Sequence, residues 1–268
     1  MTVRWDPRTY LGYADERGRP FRDLLARVSA RDPATVVDLG CGPGGLTAAL
    51  AQRWPTAHVT GVDSSPEMVA KARSRAEPGR LDFVLGDLRD WRPEEPVDVI
   101  VSNATLQWVP GHVGLLRAWV RQYLRPGGWL ALQVPGNFHD AQHTLITELA
   151  LSPRWSARLS GCRLMRDDVP GAAAYAEVLA AQGCVVDAWE TTYLHVLDPE
   201  GRFGPDAVLQ WAMGTSLRPV LDALPEGPER REFLDDYAER LRAAFPRRPW
   251  GTPFPFRRVF AVAHRASG

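Results

Sequence analysis

The residues with the clearest chemical potential lie in one short run, Val36-Val37-Asp38-Leu39-Gly40-Cys41-Gly42-Pro43-Gly44-Gly45. A β-branched segment leads into an acid and then a glycine-rich turn. Glycine has no Cβ, so the backbone at such a turn can come close to a ligand, and a helix starting behind it offers free N–H donors. This is the sequence form of a nucleotide-binding turn. Two details separate it from a dinucleotide fingerprint. Asp38 stands two residues before the first glycine, where nicotinamide sites are apolar, and Pro43 removes an N–H that a pyrophosphate would use. Both argue against a nicotinamide dehydrogenase.

Those residues need a sheet to hold them. Strand patterns at 35–39, 58–63, 81–85, 97–102 and 129–134 alternate with helical patterns at 46–53, 66–77 and 113–124. Pro66 behind Ser64 and Ser65 marks a helix start, and Arg125-Pro126-Gly127-Gly128 a helix stop and turn. This alternation predicts an α/β fold with a Rossmann-like, doubly wound parallel sheet. The second half is less regular. It reads as helices at 140–151 and 172–182, a strand at 184–195, a helical insert at 206–244, a proline-rich segment at 246–255 and a last strand at 257–264. The expected organisation is one domain over 1–268. Its core is about 30–138 plus the terminal strands 184–196 and 257–264, and a discontinuous helical cap covers about 139–170 and 204–250.

In open α/β sheets, ligands bind beyond the carboxyl ends of the strands. Asp63 ends the second strand nineteen residues after Gly44, a distance at which an acid can accept both hydroxyls of a ribose. Gly86-Asp87-Leu88 follow the third strand, and Ser102-Asn103-Ala104 end the fourth. Each signal alone could be turn chemistry, and Asp63 could cap the helix behind it. Together, at successive strand ends, they point to one cofactor site.

The string Asp38-Leu39-Gly40-Cys41-Gly42-Pro43-Gly44 resembles the first motif of class I S-adenosylmethionine (SAM)-dependent methyltransferases. The resemblance implies SAM as cofactor and S-adenosylhomocysteine as its product. It puts Gly40, Gly42 and Gly44 against the cofactor and Asp38 near the methionine amino group. Asp63 would meet the ribose, Asp87 the adenine amino group, and Leu88 the ring, with Ser64 among the cofactor-binding residues. Asn103 would face the methionine end, followed by Gln107 and by Trp108, which would close over the cofactor.

A closer resemblance runs along nearly the whole chain. Trp5-Asp6-Pro7 with Tyr10, Gly61-Val62-Asp63-Ser64-Ser65-Pro66-Glu67-Met68 and Ser102-Asn103-Ala104-Thr105-Leu106-Gln107-Trp108 are followed by Gln133-Val134-Pro135 with Asn137. Thr191-Thr192-Tyr193 with His195, Leu217-Arg218-Pro219, and Phe256, Arg258 and Phe260 complete the series. This order resembles the trans-aconitate 2-methyltransferase family, and the late features discriminate most. It implies a small polycarboxylate acceptor, with Arg218 and Arg258 as carboxylate clamps and Tyr10, Tyr193 and His195 at the acceptor. Tyr193 and His195 alternate on a strand and so share a face. A carboxylate is already ionised at neutral pH, so no catalytic acid or base is expected; proximity and alignment suffice. Two other readings stay open: another small-molecule acceptor, or a SAM-binding module without catalysis.

Composition sets outer bounds. Thirty-two basic and 32 acidic residues leave no net charge, which speaks against a nucleic-acid partner held by phosphate contacts. No apolar run reaches the length of a membrane span, so no membrane partner is expected. Three scattered cysteines, Cys41, Cys162 and Cys184, suggest a reducing, cytoplasmic setting with no disulfide framework. His139 and His143 have i,i+4 spacing but lack the carboxylate of a zinc motif, so no metal is expected. Nothing in the sequence addresses the oligomeric state.

Overall fold

The computed structural model describes residues 14–162, 164 and 169–267, with side chains from residue 18 onward. The first half runs α1 (Ala14–Leu25), β1 (Thr35–Leu39), α2 (Gly45–Arg53), β2 (His58–Asp63), α3 (Pro66–Ala72), β3 (Leu81–Leu85), β4 (Val97–Asn103), α4 (His112–Ala118) and β5 (Leu124–Pro135). The second half runs α5 (Ala141–Leu151), α6 (Ser156–Leu159), α7 (Ala172–Ala180), β6 (Cys184–Leu197), α8 (Ala207–Met213), α9 (Arg218–Ala223), α10 (Pro228–Ala244) and β7 (Thr252–Arg265). The described strands form a seven-stranded sheet in the order β3-β2-β1-β4-β5-β7-β6. β1 to β5 pair in parallel, and β7 runs antiparallel to β5. Strand order reverses between β1 and β4, the position at which such sheets bind ligands.

The chain divides into two compact units. A sheet unit comprises Tyr13–Pro135, Val169–Thr191 and Arg258–Gly268, and a helical unit includes Gly136–Asp168 and Thr192–Arg257. In the sheet unit, Val37, Leu39, Ile100, Leu130, Leu132, Val134, Val259 and Ala261 form one buried face. Leu116, Trp119 and Val120 pack on it from α4 and the turn behind it, and Tyr175 and Leu179 from α7. Each such side chain contributes about 1.5–3 kcal/mol on burial. In the helical unit, Phe233, Tyr237 and Leu241 of α10 are buried, as are Ile146 and Leu149 of α5. The Tyr237 hydroxyl donates to the Gln142 carbonyl at 2.7 Å, and Trp155 meets Phe233 edge-on at 5.3 Å.

Four boundaries differ from expectation. The helix expected over 66–77 ends at Ala72 and continues as a 3-10 turn, Arg73–Arg75. There the Ser74 hydroxyl donates to the Lys71 carbonyl at 2.8 Å, competing with the helical ladder. The helix expected over 113–124 widens into a π turn at Trp119–Tyr123, where Trp119 and Val120 are driven into the core. The turn expected at 125–128 is present as an irregularity inside β5: Val97 pairs with Leu124, but Val99 pairs with Trp129. β7 starts at Thr252, inside the expected proline-rich segment. Pro253 and Pro255 lie beyond Arg258, the last residue paired with β5, so neither interrupts that ladder.

Candidate functional site

The glycine turn is tied to the end of β2. Gly40 and Cys41 both donate to the Val62 carbonyl, at 2.8 and 3.0 Å, and the Gly42 N–H donates to Asp63 Oδ2 at 2.8 Å. Gly40 has φ +89°, and a Cβ there would stand 2.1 Å from Thr105 Oγ1. At Gly44, φ +80°, a Cβ would stand 2.8 Å from the Phe83 ring. Gly42 is different: a Cβ there would meet no protein atom within 4 Å. Glycine at 40 and 44 therefore serves packing, whereas the backbone at 42 faces open space that a ligand can enter.

Asp38 is 2 % exposed and accepts the Thr47 hydroxyl at 2.7 Å. Burial raises its pKa to about 6; the Thr47 hydrogen bond opposes the rise and the neighbouring Asp63 charge adds to it. Burial, aided by the same two carboxylates, pushes the Cys41 thiol far up, so it stays protonated and is no nucleophile. Asp63 uses Oδ2 for Gly42 and Oδ1 for the Ser65 N–H at 2.9 Å. Each oxygen keeps acceptor capacity for a further donor. The cap of α3 is Ser65, whose hydroxyl accepts from the Met68 N–H at 3.2 Å, so Asp63 is not spent on capping. Ser64 beside it is exposed.

At the end of β3, Asp87 accepts the Arg89 N–H at 2.8 Å and is forked by the Arg89 side chain. That hydrogen bonding, ahead of other causes, holds the Asp87 carboxyl below its usual value. Leu88 is buried and belongs to the sheet core. At the end of β4, the Ser102 hydroxyl donates to the Leu39 carbonyl at 2.8 Å, and Thr105 Oγ1 donates to the Gly40 carbonyl at 3.2 Å. These two bonds lock the β4 end to the glycine turn. Gln107 Nε2 donates to the Ala104 carbonyl at 2.7 Å, and Trp108 is half-buried beside it. Asn103 Oδ1 and Gln107 Oε1 are buried and have no hydrogen-bond partner among the described residues. A buried acceptor left unsatisfied costs about 1–3 kcal/mol. Two of them beside two carboxylates fit a ligand rich in donors and positive charge.

The residues expected at an acceptor fall in both units. In the helical unit, Tyr193 and His195 do share a face of β6, their rings 6.4 Å apart and 9° from parallel. His195 stacks on Trp211 at 5.5 Å and meets Phe256 at 5.8 Å, inside an aromatic group that includes Phe254. Arg218 is half-buried at the first turn of α9, ahead of Pro219. In the sheet unit, Arg258 is 4 % exposed on β7. Tyr10 lies outside the described residues. Among the described residues no three His, Cys, Asp or Glu side chains gather as a metal site, and no helix is long and apolar enough to cross a membrane.

A methyltransferase domain model matches residues 36–128, the stretch that carries the turn and the β4 end. Over 267 residues the chain is 55 % identical to a trans-aconitate 2-methyltransferase of Streptomyces avermitilis, with 97 % of each chain covered. The chain belongs to the trans-aconitate 2-methyltransferase family. A second family member, from Streptomyces coelicolor, is 54 % identical and covers 98 % of this chain and 88 % of its own. Among solved structures, the [4+2]-cyclase SpnF matches with TM-score 0.56 at 18 % identity, covering 93 % of this chain and 82 % of its own. That match shows a shared fold, which solved methyltransferases share as well, among them a geranyl diphosphate methyltransferase with TM-score 0.52 at 18 % identity, covering 93 % of this chain and 78 % of its own. A cyclase on this fold also shows that the fold alone does not choose the reaction.

Three polar groups were not anticipated from spacing. Thr47 holds Asp38, Thr105 holds the glycine turn, and Gln133 is 1 % exposed near the carboxyl end of β5. Gln133 carried a signal, since it is the polar residue in the apolar strand Trp129-Leu130-Ala131-Leu132-Gln133-Val134.

Proposed function

We propose that the chain transfers the methyl group of SAM to a carboxylate of trans-aconitate or a related small polycarboxylate, forming a monomethyl ester. The observation that carries this reading is the kinship of the whole chain, helical unit included, to enzymes named for that reaction. SAM supplies an electrophilic methyl group on a sulfonium. Asp63 would accept from the ribose hydroxyls, and the open backbone at Gly42 would let the ligand approach. Asp38 would face the methionine amino group, and Asn103 Oδ1 and Gln107 Oε1 would satisfy further donors. Asp87 and Leu88 would bound the adenine, and Trp108 would cover the ligand.

Arg258 of the sheet unit would hold a carboxylate of the acceptor, since a guanidinium forks a carboxylate with two parallel bonds. Within the helical unit, the resemblance assigns Arg218 to the same kind of contact and Tyr193 and His195 to the acceptor. The attacking carboxylate is its own nucleophile at neutral pH, so the chain needs no general base. Its work is to hold the reactants in line, which can supply ~7–11 kcal/mol of the barrier. Incubation with methyl-labelled SAM and trans-aconitate should give a labelled product that mild base hydrolyses. No transfer to any polycarboxylate, with SAM still bound, would instead support a binding module.

A further inference from the structure

The face of the sheet opposite the main core carries a polar row. Asp38 pairs with Val101, and Asn103, two residues on, pairs with Gln133. Gln133 pairs in turn with Phe260, and Arg258, two residues before it, pairs with Pro135. Paired residues share a face, as do residues two apart. Asp38, Asn103, Gln133 and Arg258 therefore sit on one face of four adjacent strands, β1, β4, β5 and β7, and climb toward the carboxyl end. The row starts at a carboxylate, passes two neutral amides and ends at a guanidinium. All belong to the sheet unit.

Gln133 is 1 % exposed, and its Nε2 has no hydrogen-bond partner among the described residues. A buried amide donor with no partner is costly unless a ligand completes it. The order of the row says which part of a ligand that is. Cationic groups belong at the Asp38 end and anionic groups at the Arg258 end. Gln133 stands diagonally across the ladder from Arg258, ~7–8 Å away, close enough for both to meet one small acid.

We infer that Gln133 Nε2 donates to a carboxylate of the acceptor beside Arg258, and that this carboxylate is the one that reacts. The inference rests on the methyl-transfer reading above. A neutral amide orients a carboxylate while leaving its charge available for attack. A guanidinium on the same oxygens would quench the nucleophile. The division of labour is then chemical: arginine for a carboxylate that must stay, glutamine for the one that is esterified.

The test is calorimetry and steady-state kinetics on the full chain, with S-adenosylhomocysteine and trans-aconitate as probes. Gln133→Met keeps size and removes the donor. It should lower kcat/KM for the acid by roughly 10- to 100-fold, the worth of one hydrogen bond to a charged group. The Kd for S-adenosylhomocysteine should stay within about twofold. Gln133→Glu keeps shape and acceptor capacity but opposes the acid with a charge, so its loss should exceed that of Gln133→Met. Unchanged kinetics toward the acid in Gln133→Met would overturn the assignment while leaving the methyl-transfer reading standing. So would tighter S-adenosylhomocysteine binding in Gln133→Glu, since Gln133 would then be an acceptor for the donor's ammonium. Failure of the unsubstituted chain to bind or methylate the acid would overturn both. Thermal melts of each variant identify any loss that is only unfolding.

Discussion

The turn after β1 and the aromatic group around His195 are built in opposite ways. The turn is backbone: four glycines and a proline within six residues, fastened by main-chain bonds to Val62 and by one carboxylate, Asp63. The His195 group is side chain: rings from β6, α8 and β7 packed against one another across some sixty residues of sequence. A backbone site recognises what every SAM enzyme shares. A side-chain site can differ from one acceptor to the next. On the proposed reading, the donor half of the enzyme is written locally, and the acceptor half over long separations.

Changes in the turn should cost most. Gly40→Ala forces a Cβ into Thr105 at positive φ, and roughly 3–5 kcal/mol of stability should be lost in urea melts. A loss under about 1 kcal/mol would mean that the turn yields and the comparison is overdrawn. Asp38→Asn comes next. In the folded chain Asp38 titrates near 6, above its ordinary value, so the native state binds a proton that the unfolded chain has already lost. Stability therefore falls as pH rises from about 4 to 6, by ~3 kcal/mol, and stays lower above. Asp38→Asn should recover part of that above pH 6 and little below pH 4, while weakening SAM binding. Melts across that range, paired with titrations of S-adenosylhomocysteine, read both effects.

Arg258→Ala should raise KM for the acid by roughly 10- to 100-fold, with KM for SAM nearly unchanged. Asp63→Asn keeps one oxygen for the Gly42 N–H but sets an amide NH2 against the Ser65 N–H and removes the charge, so SAM binding should weaken by about tenfold and stability should fall by about 1–3 kcal/mol. The smallest stability effect belongs to Gly42→Ala, about 1 kcal/mol for a side chain on the left-handed backbone at φ +54°, because its Cβ meets no protein atom. Its effect on SAM binding should be larger than its effect on melting, the reverse of Gly40→Ala.

How far each half can be read from sequence follows from the same contrast. The first five strands were legible because buried parallel strands are apolar runs bounded by glycines and acids. Their ends located Asp38, Asp63, Asp87 and Asn103 together. The π turn at Trp119–Tyr123 was not legible, because burial of Trp119 selects it and no local propensity does. Nor was the early start of β7, whose residues from Thr252 to Arg257 lie beyond the ladder with β5. Sequence spacing brought Tyr193 and His195 to one face but could not say that Trp211 and Phe256 would wall in His195. Gln133 was visible as a polar interruption of a strand. Its meaning needed the register that sets it between Asn103 and Arg258.

The most direct test of the two-half account is a crossed binding measurement on Asp63→Asn and Arg258→Ala. S-adenosylhomocysteine and trans-aconitate are each titrated into each variant by calorimetry. The account predicts crossed losses: Asp63→Asn loses affinity for S-adenosylhomocysteine and keeps the acid, and Arg258→Ala does the reverse. Equal losses of both ligands in both variants would contradict it.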